Sequence, residues 1–90
     1  MSATLNIHKT HRQYTSGLDT VQVDGDTVGN CLNALIGRFP EMKAALFDGK
    51  GKLKNQIEIY LNMESAYPDE LIKKVHAGDQ IHITVLLAGG

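Results

Sequence analysis

The segment Gly78-Asp79-Gln80-Ile81-His82-Ile83-Thr84-Val85-Leu86-Leu87-Ala88-Gly89-Gly90 decides the fold. Gly78-Asp79 is a turn-forming pair, and Ile81 to Val85 alternates apolar and polar side chains, the period of a strand with one buried face. Ile81, Ile83 and Val85 are expected to point inward, and His82, Thr84 and Leu86 outward. The chain then runs from Leu86 to Gly90 without a polar linker, so this strand should lie well inside the sheet and release a short tail.

Upstream, Ile57-Glu58-Ile59-Tyr60-Leu61 repeats the alternation, placing three aliphatic side chains inward and Glu58 and Tyr60 outward. Tyr60 and Leu86 would then share the outer face as an apolar patch beside the tail. Between these strands, Asn62-Met63-Glu64 begins a turn. Pro68 to Ile72 predicts a short helical turn with the proline near its first position, setting Leu71, Ile72 and Val75 against the core.

Further back, Val28, Cys31, Leu32, Leu35, Ile36 and Phe39 follow the i, i+3, i+4 rhythm of an amphipathic helix over 27–39. Asp26 or Thr27 can accept backbone N–H bonds at its start, and Pro40 marks its end. Met42, Leu46 and Phe47 are expected to reach the core from a second short turn, before a solvated loop, Asp48-Gly49-Lys50-Gly51-Lys52. Near the N-terminus, Thr4 to His8 and Thr20 to Val23 alternate like two strands of a hairpin, with Leu5 and Ile7 on one side and a polar, turn-rich connection through Thr15-Ser16-Gly17.

The order strand, strand, helix, strand, short turn, strand describes an α+β domain: one main helix packed across a mixed sheet, its first and last strands parallel neighbours. A chain of 90 residues suits one such domain. Its composition, 42% hydrophobic and 21% charged, is that of a folding chain, and the lone Cys31 allows no intrachain disulfide. A formal charge of -1 provides no basic field for nucleic acid or anionic lipid, so neither nucleic acid nor membrane is an expected partner. The N-terminal stretch lacks a signal-like apolar run, and with an unpaired cysteine the expected location is cytoplasmic.

The closing GDQIHITVLLAGG, the helix beginning DTVGNCLNAL and the IYLN strand resemble the ubiquitin-like sulfur carriers, the family of the thiamine-pathway carrier and the small subunit of molybdopterin synthase. The resemblance spans the whole chain. It implies a β-grasp domain over 1–87 and an exposed tail, 88–90, ending in the diglycine. In that family the terminal carboxylate is adenylated and converted to a thiocarboxylate, so the protein is a cosubstrate and not an enzyme. Gly90 would carry the chemistry and Gly89 would give access, while Tyr60, Leu86, Leu87 and Ala88 would meet partners. The implied partners are a ubiquitin-activating-type adenylating enzyme, a persulfide or sulfide source and an acceptor biosynthetic enzyme. No cofactor would be bound, the ATP being held by the adenylating enzyme.

Elementary chemistry supports the tail. A free carboxylate is a poor acyl donor, because its charge repels nucleophiles and its oxygen leaves poorly, so it must first be activated. Glycine lacks a Cβ, passes a narrow channel and bends where other residues resist. Other candidate residues fit structural roles better. Cys31 lies on the apolar helix face and is expected in the core. His8, His11, His76 and His82 have no zinc-like spacing and are expected in solvent. The sequence DGKGK lacks the full phosphate-loop pattern. Two alternatives remain: a ubiquitin-like modifier joined through Gly90 to target lysines, and an interaction domain whose terminus is never activated.

Overall fold

The computed structural model describes residues 2–86. They form one five-stranded mixed sheet with a helix across one face. Strands β1 (Ser2–Asn6), β2 (Thr20–Asp24), β3 (Ile57–Leu61), β4 (Glu64–Ser65) and β5 (Gln80–Val85) lie in the order β2-β1-β5-β3-β4. β1 and β5 are parallel, with Leu5 opposite Ile81, and every other pairing is antiparallel. The first and last strands are thus neighbours inside the sheet, and β5 occupies its centre.

Alternation produces the buried face. Ala3, Leu5, Val21, Val23, Ile57, Ile59, Ile81 and Ile83 are all buried, and Ile7, just past β1, joins them. Helix α1 (Val28–Arg38) covers this face with Val28, Cys31, Leu32 and Leu35. Thr27 caps it, its hydroxyl accepting from the Asn30 N–H at 3.1 Å, while the Asp26 carboxylate accepts from the Asn30 side-chain amide. Thr27 is therefore the cap, and Asp26 holds the Asn30 side chain beside it. Helix α2 (Met42–Leu46) buries Met42 and Leu46 completely, and Phe47 packs at the margin.

Several details depart from the expected pattern. The hairpin connection contains a 3₁₀ helix over Lys9–Tyr14, tied down by the Arg12 Nε donating to the Ile7 carbonyl and the Thr15 hydroxyl donating to the Leu18 carbonyl. His11 in this segment is buried, not solvated, because the 3₁₀ helix folds against α2. β1 also lies two residues earlier than the alternation suggested. The turn after Pro68 is a 3₁₀ turn, Glu70–Ile72, so the proline precedes it by two positions. Val75 is buried and Leu71 packs against the core, whereas Ile72 is 71% exposed. A single 3₁₀ turn has one side toward the protein, and Leu71 takes it.

The segment following β4 is anchored to the start of α1. Val28 N–H donates to the Lys73 carbonyl and Val75 N–H to the Asp26 carbonyl, both at 2.9 Å. Gly29 permits this approach: a Cβ there would lie 2.9 Å from the Leu71 carbonyl oxygen.

Candidate functional site

The site predicted from sequence is the end of β5. Its first part is a rigid turn. Gly78 adopts φ +85°, and the Asp79 carboxylate accepts from the His76 N–H at 2.8 Å and the Asn62 side chain at 3.0 Å. These hydrogen bonds, the His76 backbone bond foremost, hold the Asp79 carboxyl below the usual carboxylate range. Asn62 also accepts from the Gln80 N–H at 2.9 Å, which fixes the entry of the strand.

At its other end β5 is held to β3 throughout. Ile57 faces Val85, and the Leu86 N–H donates to the Gln56 carbonyl at 2.7 Å. Leu86 is 54% exposed. Leu87, Ala88, Gly89 and Gly90 lie outside the described residues. What the fold establishes is their point of attachment, on the central strand and one residue past its last ladder position.

Tyr60 and Leu86 do not form one patch. Tyr60 stands opposite His82, whereas Leu86 stands opposite Gln56. Four strand positions separate these two rungs, about 13 Å. The pair Glu58 and Thr84 lies between them, and the Thr84 hydroxyl donates to the Glu58 carbonyl. Tyr60 is half-buried, its hydroxyl 3.5 Å from the Glu58 carboxylate. Around them the outer face is polar, with Thr4 and Gln22 bonded side chain to side chain and Asn6 bonded to Gln80. The sequence reading ignored distance along the strand.

A feature not anticipated from sequence lies beside Leu86. A cleft of about 590 Å³ runs between the loop 51–55 and the segment 65–72, with Ile57, Glu58 and Ile59 among the residues between them. Leu53, Tyr67, Pro68, Leu71, Ile72 and Leu86 supply its apolar lining. Tyr67 and Ile72 are strongly exposed. A Tyr-Pro pair ahead of a short turn was the available signal.

The remaining candidates have structural roles. Cys31 is fully buried, and burial, reinforced by Asp24, Asp26 and Asp79, pushes its thiol up and keeps it protonated. The loop Asp48 to Lys52 is organised by its own acid: the Asp48 carboxylate accepts from the Lys50 and Lys52 N–H groups at 2.8 and 3.0 Å. Those N–H groups are already engaged by an anion, which leaves them unsuited to cradle a phosphate. Among the described residues no group of three or more His, Cys, Asp or Glu side chains could hold a metal ion, and no helix is long and apolar enough to cross a membrane.

No family model matches the sequence. Individual proteins do. The chain is 37% identical over 71 residues to small archaeal modifier protein 1 of Haloferax volcanii, covering 78% of each chain. It is 30% identical over 93 aligned positions to the sulfur carrier protein CysO of Mycobacterium tuberculosis, covering all of both. In three dimensions it is similar to a chain of the Amycolatopsis orientalis BexX/CysO complex, with a TM-score of 0.88 and 30% identity over 98% of this chain and 99% of that one. With the mixed sheet, the covering helix and a central last strand leading to Gly-Gly, these likenesses agree in sequence, fold and length: the chain belongs to the family of ubiquitin-like sulfur carriers.

Proposed function

We propose that this sulfur carrier is charged at the carboxylate of Gly90. The observation that carries the reading is the position of β5: a central strand pinned through Leu86 N–H leaves four residues to reach an active site. Four residues span at most about 14 Å, so the folded body must sit close against whichever enzyme acts on the terminus.

The chemistry proceeds in two steps on partner enzymes. A Gly90 carboxylate oxygen attacks the α-phosphorus of ATP held by an adenylating enzyme, pyrophosphate leaves, and an acyl adenylate forms. Hydrosulfide then attacks the acyl carbon, AMP departs with the C–O bonding pair, and a thiocarboxylate remains. With a persulfide donor the first product is an acyl disulfide. A second thiolate then attacks its outer sulfur, releasing the thiocarboxylate and leaving a disulfide on the donor side. The thiocarboxylate sulfur is the nucleophile delivered to an acceptor biosynthetic enzyme. The carrier supplies the acyl group and no catalytic side chain, in keeping with the buried, protonated Cys31.

Contact with these partners falls on Leu86, Leu87 and Ala88 at the root of the tail, with Tyr60, further along β3, a second point for the acceptor enzyme. Gly89 gives the clearance for Gly90 to enter. A second reading keeps the same first step. Similarity to a small archaeal modifier favours use of the acyl adenylate to acylate a lysine amine, giving an isopeptide bond. Incubating the purified chain with its adenylating enzyme, ATP and sulfide, with Gly90 deleted in a parallel sample, tests the common step. ATP–pyrophosphate exchange that persists without Gly90 contradicts both readings.

A further inference from the structure

Terminal diglycines are alike among carriers of this kind, so a partner that selects one of them must read something outside the last two residues. The described residues hold five exposed large hydrophobic side chains: Leu18, Met63, Tyr67, Ile72 and Leu86. Three of these, Tyr67, Ile72 and Leu86, line one cleft beside the root of the tail. Exposed apolar side chains scattered singly are ordinary, but three converging on one concave surface with Leu53, Pro68 and Leu71 are not.

The geometry points to this cleft, rather than the outer sheet face, as the surface by which the enzyme that activates Gly90 docks and selects the carrier. This rests on the reading of Gly90 as the activated group. The length of the tail identifies the occupant. With at most about 14 Å between Leu86 and the terminal carboxylate, the enzyme holding that carboxylate must cover the surface around Leu86. The outer face nearby offers His82 and Thr84, which desolvate at a cost. The cleft offers apolar area and a defined charge pattern, Lys52 and Lys54 from the loop 51–55, Asp69 and Glu70 from the segment 65–72, and Glu58 of β3 between them. The fitting partner surface is a protruding aliphatic or aromatic side chain, flanked by acidic groups toward the lysines and basic groups toward Asp69 and Glu70. The close packing of Leu71 on Gly29 and the anchoring of Lys73 to Val28 keep one wall in place before docking, which lowers the ordering cost of association.

The test is the steady-state kinetics of Gly90 adenylation by the cognate adenylating enzyme, with the carrier as varied substrate. Ile72→Asp changes an exposed side chain and should leave thermal unfolding unchanged. It should raise KM for the carrier by about tenfold or more with kcat retained, the signature of lost docking. Ile72→Leu should restore the original KM, and Leu18→Asp, away from the cleft, should not alter it. An unchanged KM for Ile72→Asp with Gly90 adenylated normally overturns the cleft as docking surface. So does a lowered KM, which would mean that the carrier's own tail occupies the cleft. Failure of the unmodified chain to be adenylated at Gly90 overturns the carrier reading beneath it.

Discussion

The Leu86 N–H donates to the Gln56 carbonyl at 2.7 Å, so the hydrogen bonding between β3 and β5 continues one residue past Val85. Leu86 is consequently a surface residue held in a fixed position, while Ile83, three residues earlier, is 1% exposed. Leu86→Asp should weaken binding to the adenylating enzyme and leave the fold intact. Ile83→Asp should unfold the domain, since it buries an unpaired charge at a cost of more than about 4 kcal/mol. Binding affinity and thermal unfolding measured on both variants check this; tight binding by Leu86→Asp would remove the tail root from the interface.

Cys31 is the only sulfur nucleophile among the side chains, and its burial argues that it carries no transferable sulfur. Cys31→Ala should lose about 1 to 3 kcal/mol of stability and retain full thiocarboxylate formation. Denaturant unfolding and single-turnover sulfur transfer measure the two effects separately. A well-folded Cys31→Ala protein unable to accept sulfur would assign the thiol a role in the chemistry.

His11 gives the fold a specific response to acid. Burial above all, then the charges of His8 and Lys54, lowers its pKa, and its Nδ1 has no hydrogen-bond partner among the described residues. A lowered folded pKa means that the unfolded chain takes up the proton first. The contribution is therefore fully present above the ordinary histidine value of about 6.5 and is lost as pH falls below it. The thermal unfolding temperature of the unmodified protein should decline as pH falls below about 6.5, and His11→Leu should flatten that decline. Equal pH dependence in the two proteins would contradict the assignment.

Gly29 separates two opposing effects of known size. Alanine gains up to about 1 kcal/mol in helix propensity, but its Cβ would lie 2.9 Å from the Leu71 carbonyl, and overpacking of this kind costs about 1 to 3 kcal/mol. Gly29→Ala should therefore lower the melting temperature. Gly37, also in α1 but with nothing within 4 Å of a built Cβ, should gain stability as alanine. A calorimetric comparison decides both.

Strands β2, β3 and β5 and helix α1 were legible because each buries one face, so burial imprints a period on the sequence. Thr27 was readable as a cap for the same local reason. The 3₁₀ helix Lys9–Tyr14 was not, since its only buried side chain is the polar His11 and its anchor is one arginine reaching back to Ile7. β4, two exposed residues, carries no alternation at all. Gly78-Asp79 was recognisable as a motif, but its work in tying Asn62 to the start of β5 depends on a partner 17 residues away in sequence. The separation of Tyr60 from Leu86 follows from strand register, and the convergence of Tyr67, Ile72 and Leu86 from the path of the chain after β4. Neither is a property of a local window.

The central claim is that sulfur resides on the terminal carboxyl of Gly90. Intact-mass analysis of the protein after reaction with its adenylating enzyme, ATP and sulfide, followed by fragmentation to locate the change, addresses it most directly. The predicted result is replacement of one oxygen by sulfur at Gly90, equally in the unmodified and Cys31→Ala proteins. A sulfur-containing product mapped to Cys31, or no change at Gly90 in a protein that nevertheless delivers sulfur to an acceptor, would contradict it.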